Sequence, residues 1–120
     1  MIACPPILSE EPPKPARRAG LGDRFRYWRG GSGRRYLFSL VPAEVIADFR
    51  SVVVLAAEPT ADGQYVARAL SVIDQAGKGA GEALAAAGNL RVFVHFLAAN
   101  EADRRRLVDD VAAAGLRLAA

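Results

Sequence analysis

The side chains best equipped for chemistry are concentrated between Arg24 and Tyr36. Here Arg24, Arg26 and Arg29 alternate with Phe25, Tyr27 and Trp28, and the chain then runs through Gly30-Gly31-Ser32-Gly33 into Arg34 and Arg35. A guanidinium can grip two phosphate oxygens at once, and an aromatic ring can stack on an unpaired base. The pattern therefore predicts a nucleic-acid contact made by Arg24, Arg26, Tyr27, Trp28, Arg29, Arg34 and Arg35. The alternative is an edge strand whose Phe25, Tyr27 and Trp28 pack on a core while the arginines stay solvated.

The remaining candidates offer less. His95 is the sole histidine, and a general base needs an acid or nucleophile close by, which its neighbours in sequence do not supply. Asp109 and Asp110 could hold a metal only with ligands from elsewhere, because no H-E-x-x-H or EF-hand spacing is present. His95 and Asp109 are kept as the disfavoured site residues, with no catalytic residue and no metal ligand assigned. Arg104, Arg105 and Arg106 diverge around one turn of a predicted helix and read as a solvated face. Gly77-Lys78-Gly79-Ala80-Gly81 opens a predicted helix, where anions are attracted. It lacks the spacing of a P-loop and the parallel unit of a dinucleotide fold, so it reads as a loop. Cys4 has no second cysteine to pair with and reads as an incidental thiol. No cofactor is expected.

Charge supports a polyanionic partner. The sequence carries +3 formally, yet residues 12–36 hold eight basic side chains and one acid, while the rest of the chain is net negative. Apolar residues at 52% and charged residues at 24% suit a globular domain. No apolar run is long enough to span a bilayer, and prolines interrupt the place a signal peptide needs its apolar stretch. A cytoplasmic location is expected, with no membrane partner.

The elements that must position these residues follow from periodicity. Five of the seven prolines precede residue 16, so residues 1–22 read as a disordered Pro/Arg-rich tail. Residues 23–117 read as one α+β domain and 118–120 as a C-terminal end. Strands are predicted at Tyr36–Val41, Ser51–Ala56, Tyr65–Ile73 and Arg91–Leu97. Asp62-Gly63 should turn the second into the third as a hairpin. Short helices are predicted at Pro42–Arg50 and Glu82–Ala87, the latter following a Gly-rich loop and closed by Gly88-Asn89. A final helix should be capped by Asn100, carry Leu107, Val108 and Val111 as its apolar stripe, and stop at Gly115. The expected fold is a single, mainly antiparallel four-stranded sheet with two to three helices packed on it.

With the elements placed, the chain resembles small bacterial proteins related to the GIY-YIG nuclease domain. The likeness rests on Trp28-Arg29-Gly30-Gly31-Ser32-Gly33-Arg34-Arg35-Tyr36-Leu37-Phe38-Ser39, the hairpin, and Val92–Leu97 leading into Glu101–Arg106. It covers roughly residues 25–115. The family's chemistry implies tyrosine-bearing triads on both hairpin strands, a following arginine and a glutamate on a later helix. This chain has Val52-Val53-Val54 and Leu70-Ser71-Val72 at the triads, Lys78 as the sole cation before the helix, and Val108 beside Asp109 at the glutamate position. The resemblance implies a fold without the catalytic set.

The resulting expectation is a non-catalytic binding or interaction domain that contacts nucleic acid through the Arg/aromatic segment. Two alternatives stand beside it: a degenerate metal-dependent GIY-YIG-like nuclease, and a small structural or regulatory protein that binds another protein.

Overall fold

Alternating side-chain direction makes the Arg/aromatic segment the first arm of a hairpin. The computed structural model describes residues 2–10, 24–73 and 90–119 of the chain. In it β2 (Phe25–Arg29) turns through the glycines into β3 (Arg35–Val41), pairing Phe25 with Ser39 and Arg29 with Arg35. Gly33 takes a φ of +90°, a left-handed conformation that a side chain would strain.

The other strands are β1 (Ile2–Leu8), β4 (Val52–Pro59), β5 (Tyr65–Ile73) and β6 (Arg91–His95). They form one antiparallel sheet in the order β1-β5-β4-β6-β3-β2. A 3-10 helix (Ala43–Asp48) follows β3, entered through Pro42, and α1 (Glu101–Ala119) ends the described chain. The α+β class and the central hairpin are as expected. Asp62-Gly63 sits in the β4–β5 turn, where Gly63 takes a φ of +83°. The expected loop at 74–81, helix at 82–87 and Gly88-Asn89 cap lie outside the described residues, as do residues 11–22 of the expected tail.

Among the described residues, six strands stand where four were expected. Besides β2, the additional strand is β1, which corrects the reading of residues 2–8 as disordered tail. Proline cannot donate to a ladder, but among the described strands β1 is an edge strand bonded only to β5, and the register shifts between Ala3 and Ile7, where Pro5 and Pro6 fall. An edge position with a bulge accommodates two prolines that a central strand would exclude.

The sheet is curled. In sheet order β2 and β5 are four places apart, about 19 Å at the usual strand spacing of about 4.8 Å. Yet the Arg26 guanidinium of β2 lies 5.4 Å from the centre of the Tyr65 ring on β5. Beyond β1 the chain closes the remaining gap: the Ser9 amide donates to the Tyr65 carbonyl and the Glu10 amide to the Tyr27 carbonyl, both at 2.8 Å. The result is a partly closed barrel whose edges meet at Glu10 and Tyr27.

Two apolar clusters flank the sheet. The concave one gathers Trp28, Phe38, Leu55, Leu70 and Phe93 with Leu107, Val108 and Val111 of α1. Edge-to-face contacts of Trp28 with Phe38 and Phe93, at 5.5 and 5.0 Å, set its centre. The opposite face buries Val52, Val54, Val92 and Val94, with Ile46 of the 3-10 helix. Residues 52–57 are buried without alternation because β4 is covered on both faces, as its continuous apolar run predicts.

The Asn100 cap forms as expected, its Oδ1 accepting from the Asp103 amide at 2.8 Å. Gly115 does not stop the helix, which continues to Ala119. A glycine inside a helix costs about 1 kcal/mol against alanine, which Leu116, Arg117 and Leu118, good helix formers, offset without a break. Arg104 also departs from the solvated face assigned to it: it is 7% exposed, whereas Arg105 and Arg106 face solvent and pair with Glu101 and Asp103.

Candidate functional site: a hairpin between two clefts

The seven candidate residues of the hairpin are distributed over four environments. Period-two alternation puts Arg26 and Trp28 on the concave face and Phe25, Tyr27 and Arg29 on the convex one. Trp28 is fully buried in the core, so its ring has no face left for a base. Arg26 is buried beside it, with Nη1 donating to the Phe25 carbonyl at 2.9 Å. On the convex face the Arg35 guanidinium stacks 4.5 Å above the centre of the half-buried Tyr27 ring. Exposed Arg29 is held by Glu10 at 2.7 Å and donates to the Gly33 carbonyl. That carboxylate raises the Arg29 pKa above its ordinary value. Exposed Arg24 and Arg34 stand at the two ends, each lining a different cleft.

The turn end of the hairpin is clipped to α1 by Asp110. Its carboxylate accepts from the Ser32 amide at 2.8 Å, the Ser32 hydroxyl at 2.6 Å and the Tyr36 hydroxyl at 2.7 Å. The Asp110 backbone carbonyl accepts from the Gly31 amide at 2.7 Å. A Cβ at Gly30 would fall inside that carboxylate, so the close approach needs glycine there. Burial, and then the bond to Asp110, push the Tyr36 pKa above the ordinary phenol value.

Beside this clip lies a cleft of about 480 Å³ lined by Arg34, Tyr36, His95, Leu97, Asp103 and Arg106 among others. His95 is 6% exposed; its Nδ1 meets the Leu37 carbonyl at 2.7 Å. A carbonyl can only accept, so Nδ1 carries the proton when the ring is neutral, and burial lowers its pKa below the ordinary imidazole value. Tyr36 and Phe38 pack against the ring at 6.0 and 5.5 Å. Asp109 is exposed on α1 and is not among the residues lining this cleft. Among the described residues no group of three or more His, Cys, Asp or Glu side chains is placed to hold a metal ion, and no helix is long and apolar enough to cross a membrane.

The opposite end of the barrel opens into a larger cleft of about 1040 Å³. Arg24 just before β2, Arg26 of β2, Arg91 of β6, Tyr65 of β5 and Glu44 of the 3-10 helix contribute to its lining. Sequence reasoning missed Arg91, which lies 65 positions after Arg26 and beside the apolar run Val92–Val94. Its one signal was its place as the first residue of β6, where strand ends gather at the mouth of a barrel.

No protein-family model, no curated protein and no solved structure matches the chain.

Proposed function

We propose that the protein is a non-catalytic binding domain for single-stranded nucleic acid, engaged across the convex face and turn of the β2–β3 hairpin. The observation that carries this reading is the Arg35–Tyr27 stack on an edge hairpin, flanked by the exposed guanidinium groups of Arg29 and Arg34. A strand of five residues spans roughly 16 Å, room for a few nucleotides. Stacking on a tyrosine or a guanidinium plane tolerates any base, and bidentate contacts to phosphate hold the backbone. The contact set is Tyr27, Arg29, Arg34 and Arg35; Trp28 serves the core, and Arg24 and Arg26 serve the barrel mouth.

The test is fluorescence anisotropy of a labelled single-stranded oligonucleotide at rising salt. Each phosphate contact should contribute a log–log salt slope of about −0.7, so three contacts give roughly −2. Arg34→Ala/Arg35→Ala should shrink that slope and weaken binding, and Tyr27→Ala should cost roughly 1–3 kcal/mol if the ring supports a base. No binding at low salt, or binding indifferent to these changes, moves the assignment to a protein partner. Phe96 and the 73% exposed Leu97, the large apolar side chains left open at the end of β6, favour that second reading.

A further inference from the structure

We propose that the mouth of the barrel is a separate binding site for a small phosphate monoester carried on a planar apolar ring. Two strands bring three arginines to this cleft, Arg24 and Arg26 at the start of β2 and Arg91 at the start of β6, against one acid, Glu44, among the described residues that line it. A cluster of guanidinium groups favours an anion such as a phosphate monoester, which carries about −1.5 to −2 at neutral pH. The walls are apolar, with Leu40, Val41, Leu90 and Val92 beside the Tyr65 ring. An apolar pocket with a few convergent polar groups, set in a barrel mouth, is the usual form of a small-molecule site.

The floor is preorganised. Arg26 is more than nine-tenths buried, anchored through the Phe25 carbonyl and held over Tyr65 at 5.4 Å. Tyr65 is itself fixed by an edge-to-face contact with Phe93 at 4.9 Å. Arg24 and Arg91 are exposed at the rim, on strands separated by β3, so they can close on a phosphate from two sides. The ring of the ligand lies against the apolar wall and Tyr65, and its phosphate meets the guanidinium groups. This site uses none of Tyr27, Arg29, Arg34 or Arg35.

Amide chemical-shift titration of the whole chain with phenyl phosphate and with adenosine monophosphate tests the proposal. Inorganic phosphate and adenosine serve as arms that lack the ring or the charge. Saturable shifts centred on Arg26, Gly63 and Leu90–Val92 are expected with both esters, and only weak shifts with the two partial probes. The tighter of the two esters tells whether the ring is a nucleobase or a simple aryl group. Arg91→Ala should weaken binding about tenfold, the loss of one charged hydrogen bond, while oligonucleotide affinity and the thermal midpoint stay unchanged. Arg34→Ala/Arg35→Ala should leave ester binding intact, so either interaction can fail without the other. Absence of saturable shifts overturns the proposal, as do shifts centred on His95 and Asp110, inorganic phosphate binding as tightly as the esters, or indifference to Arg91→Ala.

Discussion

At the scale of single residues the structure turns on Asp110, whose carboxylate accepts three hydrogen bonds from one turn and one strand. Each bond to a charged acceptor contributes about 1.5–3 kcal/mol, less where solvent competes. Asp110→Ala should therefore cost about 2–3 kcal/mol, read as a fall of roughly 10–20 °C in Tm. Gly30→Ala drives a methyl into the same carboxylate and should cost a similar amount. In the Asp110→Ala background the carboxylate that the methyl would strike is gone, so the two losses should fall well short of additive in a double-mutant cycle.

His95 gives a second residue-scale expectation, with a definite sign. Burial keeps its folded pKa below the ordinary value of about 6.5, so the unfolded chain binds a proton before the folded one does. The stability linked to this group is fully present above that value and is lost as pH falls through the folded pKa. The hydrogen bond from Nδ1 to the Leu37 carbonyl opposes that shift without cancelling it, and the charged groups facing the same cleft are Arg34, Asp103 and Arg106. Urea midpoints at pH 7.5 and 5.5 should show wild-type protein losing stability on acidification and His95→Gln losing less. Equal losses in the two proteins would place the titrating group elsewhere.

At the scale of elements the decisive contact is the one that joins the ends of the sheet. The Ser9 hydroxyl accepts from the Tyr65 amide and donates to the Gln64 side chain, while Glu10 bridges to β2 and clasps Arg29. The exposed ion pair contributes little by itself. The backbone bonds of β1 to β5 matter more, because without them β5 becomes an open edge with unpaired amides and carbonyls. Removing residues 1–10 should lower Tm by roughly 10 °C or more, equivalent to about 2 kcal/mol for a domain of this size. An unchanged midpoint would show that β1 adds nothing to the folded state.

At the scale of the whole molecule the arginines serve three separate surfaces: the convex face, the helix-side cleft and the barrel mouth. The +7 charge of residues 12–36 read in sequence as one continuous basic stretch. Folding divides its part from Arg24 to Arg35, because successive residues of a strand point to opposite faces and the two ends of β2 lie at opposite ends of the barrel. Salt should accordingly weaken oligonucleotide binding through the convex face and ester binding through the mouth as two independent titrations.

Local rules alone determined much of this architecture. The β4–β5 hairpin follows from Asp62-Gly63 between apolar runs, the start of α1 from Asn100 with Glu101 and Asp103, and double-sided burial of β4 from the unbroken run Val52–Ala57. These signals act within a few residues of the chain, so a sequence displays them. β1 was illegible because two prolines are compatible with a strand only at a sheet edge, and which edge is free is a property of the assembled sheet. Arg26 looked solvent-bound by type, yet alternation with Trp28 carried it inward. The meetings of Asp110 with Ser32 and of Arg26 with Tyr65, and the cleft shared by Arg24 and Arg91, join positions 39 to 78 residues apart in sequence. Only the curl of the sheet, which brings its two edges together, could decide them.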